Sequence, residues 1–186
     1  MIMTFPNGNG SVLGRGYTVE FWMKIDRLNE FCKTDNPKLK YYFIGDPHVI
    51  YNDPRDTSVS ERVNNSNLGY NLYYQLLSSP LVKVRLRNIS QFNWNHVSIH
   101  VDLLNRNLRV YTNFNLWDPE VKLDNIHPSV DLGFNRVVFC STSECIRNSS
   151  NYLTNIAWGA AFYKFIRVSD GINYNPWDSL EYYSSM

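Results

Sequence analysis

Cleavage of a glycosidic bond by the retaining route needs two carboxylates about 5 Å apart, one to attack and one to protonate, so the acids come first. Glu20 stands alone in its segment, and the nearest acid, Asp26, lies beyond the end of that run. Glu120 and Asp124 are four residues apart and would share one face of a strand, yet Pro119 precedes them and no third acid joins them. Hydrolysis therefore ranks last among the functions considered. Calcium draws several oxygen ligands from flexible loops, and Asp118, Glu120 and Asp124 in one polar stretch are its candidate ligands, with Asp53 and Asp56 in another. Ordinary polar loop residues are the plainer account of both. Sugar recognition combines an aromatic platform with directed polar partners. Trp117 with Asn113, Asn115 and Asp118 makes one such grouping, and Tyr51 with Asn52 and Asp53 another. Structural aromatics remain the plainer account here too.

The four histidines are His48, His96, His100 and His127. His96 and His100 fall on the same side of one predicted strand, away from Val97, Ile99 and Val101. Two solvated strand histidines are expected there in preference to a metal pair, and zinc has no Cys-His spacing to favour it. Cys140 and Cys145 bracket four residues and are expected to close a small disulfide loop at a hairpin tip, leaving Cys32 unpaired.

These side chains need elements to position them, and the alternation of apolar residues supplies strands. Val19, Phe21 and Met23 face one side of a run over 17–24, opposite Thr18, Glu20, Trp22 and Lys24. Further strands are predicted over 40–45, 70–77, 81–87, 94–102, 108–112, 134–140 and 157–168, with short ones over 49–51 and 120–123. Residues 46–67 read as a long loop and 114–128 as a second. The end of the chain, with Asn175 before Pro176, is the one place with the capping chemistry of a short helix. Many short strands without intervening helices argue for an all-β antiparallel sandwich or barrel, and one domain over residues 1–186, alone or within a longer protein, accounts for the length.

Composition narrows the partners. A formal net charge of +1 with a pI near 7.7 gives no broad field to gather nucleic acid. Lys83, Arg85 and Arg87 alternate with Val82, Val84 and Leu86 and are expected to form a solvated sheet face. No apolar run reaches the roughly 20 residues of a membrane span. Sequons at Asn9, Asn64, Asn88 and Asn148 tilt the expected compartment towards the extracellular side, with membership of an organelle complex still open.

Three segments are more specific than their pattern. The run Tyr17-Thr18-Val19-Glu20-Phe21-Trp22-Met23-Lys24 resembles the opening strand of concanavalin A-like, laminin-G-like modules. Trp94-Asn95-His96-Val97 followed by Leu108-Arg109-Val110-Tyr111-Thr112 resembles their central hairpin, and Trp158-Gly159 leading to Arg167-Val168 their last strand. The resemblance implies a jelly roll of two curved sheets, a fold that hosts lectins, glycanases, adhesion modules and structural domains, and that often binds calcium. Glycanases of the fold carry a Glu-x-Asp-x-x-Glu run, which is missing here. The family's Asn-Gly after the central hairpin is replaced by Asn113-Phe114. The expected function is a non-catalytic module recognising a glycan or a protein surface, with an accessory scaffold within a larger assembly as the alternative.

Overall fold

The computed structural model describes residues 2–4, 15–25, 40–52, 72–76, 79–90, 93–126, 132–133, 136–138, 157–158, 161–171 and 174–186. In chain order the strands are β1 (Ile2–Thr4), β2 (Gly16–Ile25), β3 (Lys40–Asp46), β4 (His48–Asn52), β5 (Leu72–Leu76), β6 (Ser79–Leu86), β7 (Asn95–Asp102), β8 (Asn107–Thr112), β9 (Asn115–Leu116), β10 (Val121–Lys122), β11 (Arg136–Val138), β12 (Ala157–Trp158) and β13 (Ala161–Asp170). One helix, α1 (Pro176–Ser184), follows. The strands form two sheets. The first runs β1-β11-β3-β4-β5-β6, with β12 paired to β3; the second runs β10-β8-β7-β2-β13, with β9 paired to β8. Every pairing is antiparallel except that of β12 with β3.

Period-two alternation builds the core between them. From the second sheet Val19, Phe21, Met23, Val97, Ile99, Val101, Leu108 and Val110 turn inward, and from the first Phe43, Ile50, Tyr74, Val82, Val84 and Leu86 meet them. Phe21 and Phe43 stack across the gap with centroids 4.4 Å apart. A polar network lies in this core. The Tyr17 hydroxyl donates to the Leu132 carbonyl, so its contact with His48 Nε2 at 2.8 Å is a bond donated by the imidazole. His48 Nδ1 then accepts from Tyr74 Oη at 2.8 Å, and the ring is neutral: burial pushes its pKa down to about 3.

The short strand expected over 49–51 is present as β4, one residue longer at each end, so the 46–67 segment does not begin as a loop. Its first residues form β4 in a tight hairpin with β3 around Pro47, and the polar residues His48 and Asn52, which share the inward side with Ile50, are fully buried. The β8–β9 connection replaces Asn-Gly with Asn113 and Phe114, both left-handed at φ 49° and 65°. Those angles are what a two-residue type I′ turn requires, so the phenylalanine holds a conformation normally left to glycine.

Candidate functional site

The outward side chains of β7, β2 and β13 stand in rows across the second sheet. His100, Thr18 and Ser169 form one row, and Ser98, Glu20 and Arg167 the next. His96, Trp22 and Lys164 form the third; Lys24 pairs with Phe162 in the fourth, where Trp94 extends β7 by one position. The first two rows are covered. Tyr174 lies on His100 with centroids 5.8 Å apart, and Ser179 of α1 reaches Arg167. Glu20, Ser98 and His100 are consequently buried although they face away from the core. Asn175 caps the helix that does this covering, its side chain accepting from the Trp177 amide at 3.1 Å.

This corrects the sequence expectation for the histidines. His96 and His100 are 0% and 1% exposed, not solvated. His96 Nε2 donates to Glu20 Oε2 at 3.1 Å, while His100 Nδ1 meets Thr18 Oγ1 at 2.9 Å. Glu20 is also paired with Arg167 on its other side. Burial works to raise the Glu20 pKa, but hydrogen bonds from His96 and Ser179 and the charge of Arg167 outweigh it, and the carboxyl sits below its ordinary range. A buried, ionised carboxylate is unsuited to the general-acid role of a glycosidase, which needs a raised pKa and contact with substrate.

The fourth row and the Lys164 end of the third are open. Trp94 and Phe162 are 37% and 56% exposed. The Lys164 ammonium lies 4.4 Å from the Trp94 ring centroid, 5.2 Å from Phe165 and 5.7 Å from Trp22. Trp22 Nε1 is buried without a hydrogen-bond partner among the described residues. Phe114 continues this surface, stacked on His96 at 4.2 Å and edge-on to Trp22 at 5.9 Å. That stack offsets the strain of its turn.

Beyond Phe114 lie the residues singled out for sugar binding. Asn113 is fully engaged: Oδ1 accepts from the His96 amide at 2.9 Å, and Nδ2 donates to the Asn88 carbonyl at 2.9 Å. It builds the corner where the hairpin meets the β6–β7 connection. Asn115 is exposed, donating to the Asn113 carbonyl. Trp117 is 46% exposed, and its indole N–H donates to the Thr112 carbonyl at 3.3 Å, which fixes the ring while leaving much of it open.

No family model and no curated protein matches the sequence. Among solved structures the chain is similar to the binding domain of botulinum neurotoxin serotype D, at a TM-score of 0.53 and 13% identity, over 100% of this chain and 40% of that one. It is similar also to the receptor-binding domain of a mosaic serotype C/D botulinum neurotoxin, at 0.50 and 11%, over 100% and 39%. A heptameric SAP-like pentraxin from Limulus polyphemus follows at 0.47 and 14%, over 83% and 63%. The fold is an antiparallel β-sandwich. At these identities the likeness is one of fold, and the chain spans under half the length of the toxin domains.

Asp118 pairs with Arg87 at 3.1 Å, and Glu120 with Arg109 at 2.9 Å and Lys122 at 2.8 Å. Hydrogen bonds from Lys122 and Arg109 hold the Glu120 carboxyl below its usual range. Asp124 is exposed. Asp118 and Glu120 turn their oxygens to basic side chains, and no group of three or more acidic, histidine or cysteine side chains among the described residues would hold a metal. Tyr51 is 7% exposed and Asn52 is fully buried; the Tyr51 ring lies 5.9 Å from Tyr73, over which the Lys83 ammonium sits at 3.8 Å. Lys83, Arg85 and Arg87 are exposed and Val82, Val84 and Leu86 buried, as their alternation predicts. Asp53, Asp56, His127, Cys32, Cys140 and Cys145 lie outside the described residues. The Trp94–Phe162 surface was missed because Trp94 and Phe162 are far apart in sequence; the register of β7, β2 and β13 brings them together.

Proposed function

We propose that the chain is a non-catalytic binding module that recognises a glycan at the β8–β9 hairpin, with Trp117 as the platform and Asn115 as a polar partner. The observation that carries this is the posture of Trp117: its N–H is spent on the Thr112 carbonyl, so a ring 46% exposed is held in one orientation. A ring fixed before binding loses little freedom when a sugar face stacks on it. Asn113 has a positioning role here, since its amide bonds lock the turn that presents Trp117. The laminin-G-like kinship suggested by the three ordered motifs belongs to this reading.

Binding to an immobilised glycan array, with calcium and with a chelator, tests it. The wild-type chain is expected to retain a subset of glycans irrespective of calcium, and Trp117→Ala to lose them with its melting curve unchanged. Failure to retain any glycan would overturn the reading. A second reading, an accessory scaffold subunit, is supported by Trp177 and Leu180, three residues apart on α1 and 68% and 36% exposed. Native mass spectrometry of the purified native assembly tests that alternative, a partner lost on Trp177→Ser being the expected result.

A further inference from the structure

The open half of the second sheet's outer face carries a chemistry that a sugar does not call for. Its accessible polar side-chain groups are hydrogen-bond donors alone, the ammonium groups of Lys24 and Lys164, while the Trp22 N–H and His96 Nδ1 beneath them are buried. Sugar hydroxyls need acceptors as well as donors, whereas phosphate and carboxylate oxygens need donors only. Neither lysine has a carboxylate within 4.0 Å among the described residues, and Glu20, the one acid of these rows, is buried and already paired with His96 and Arg167. Lys164 rests among Trp94, Trp22 and Phe165 in place of a counter-ion.

The apolar part is displayed at a cost. Between Lys164 and Arg167 the pairing of β13 with β2 shifts by a bulge, and Phe165 within it has φ 52°. A bulky residue there is strained by about 1 kcal/mol or more. The bulge places Phe165 beside the Lys164 ammonium and Tyr183, on the outward side, where it is 47% exposed. A bulge blunts an edge strand whichever residue it carries, so the phenylalanine itself calls for a partner. Phe162, 56% exposed and opposite Lys24, and Trp94, 37% exposed, complete the surface. Phenyl rings and an indole beside uncompensated ammonium groups are the composition of a surface that sits at the boundary of headgroups and acyl chains.

We propose that this half-face, formed by Trp94, Lys24, Phe162, Lys164 and Phe165, docks reversibly on an anionic lipid bilayer, the rings entering the interface and the lysines meeting headgroup phosphates and carboxylates. The surface is distinct from the Trp117 platform and stands whether or not that platform binds a glycan. Two lysines and three rings give weak association that the loss of either component abolishes at working concentrations.

Co-sedimentation of the full chain with vesicles of phosphatidylcholine, and of phosphatidylcholine with phosphatidylserine, tests the proposal. Neither vesicle bears a sugar, so the outcome is independent of glycan binding. Retention on the phosphatidylserine vesicles alone, lost on raising the salt, is expected. Lys24→Gln with Lys164→Gln should weaken it about thirtyfold, and Phe162→Ser with Phe165→Asn, where asparagine tolerates the left-handed backbone, should abolish it while the melting temperature holds or rises. Failure to sediment with either vesicle, equal retention on both, or full binding by the phenylalanine double variant would overturn the proposal, the last placing vesicle binding elsewhere on the chain.

Discussion

His48 and Glu20 are both buried titratable groups whose environments keep them deprotonated at neutral pH, one neutral and one charged, with separable responses to acid. His48 is held neutral, with a folded pKa of about 3 against an ordinary value of 6.5. Between those two values the unfolded chain binds a proton that the folded chain refuses, so stability is complete above pH 6.5 and falls by about 1.4 kcal/mol per pH unit as the pH drops through the window. His48→Gln, which keeps a donor and an acceptor between Tyr17 and Tyr74, should flatten that decline in urea titrations between pH 6.5 and 5; an unchanged slope would show that other groups set it. Glu20 has a folded pKa below its ordinary 4.5, so its contribution is present above pH 4.5 and is lost only as the pH falls through the lower folded value. Glu20→Gln removes the partner of Arg167, whose side chain is 38% exposed and therefore partly solvated. The loss at neutral pH should be about 2 kcal/mol, smaller than for a fully buried pair, and should shrink below pH 4. A denaturation midpoint that matches wild type at pH 7 would contradict this.

At the level of elements, the inner faces were legible and the outer face of the second sheet was not. Val97, Ile99 and Val101 announce one buried side by their spacing, and His96, Ser98 and His100 announce a polar side; whether that polar side meets water depends on α1, some 80 residues later in the chain. No local pattern in β7 records the arrival of Tyr174 and Ser179. Asn113-Phe114 was legible as a departure from Asn-Gly, but the stack on His96 that holds Phe114 left-handed was not, since it needs the register of β7 with β8. Gly16 shows the same dependence. In sequence it reads as a turn residue; in the fold it opens β2 opposite Asp102, with the Val101 carbonyl only 2.5 Å from where a Cβ would stand. A backbone oxygen cannot swing aside like a side chain. Gly16→Ala should therefore cost about 2–3 kcal/mol, read as a shift of the urea midpoint, and hydrogen exchange should speed up first at the Gly16 end of the β2–β7 pairing. An alanine variant of wild-type stability would mean that this pairing slides freely.

For the whole molecule, the question is whether the two sheets are one folding unit. The chain aligns over its full length with less than half of each toxin domain, so the length of its neighbours does not answer it, and the core must. Neither sheet has an apolar face of its own that is satisfied without the other: Val19, Phe21 and Met23 lie against residues such as Phe43 and Tyr74, and the Tyr17–His48–Tyr74 network crosses from β2 to β4 and β5. Separating the sheets would expose the core of both and leave that buried network unsatisfied. We therefore expect one cooperative transition. Far-UV circular dichroism follows all the strands, while tryptophan fluorescence is weighted to Trp22, Trp94 and Trp117 on and beside the second sheet. In urea the two signals should give the same midpoint and slope. A fluorescence transition that precedes the dichroism would mean that the second sheet opens by itself, and would place its outer face, with both proposed contact surfaces, on the less stable half of the sandwich.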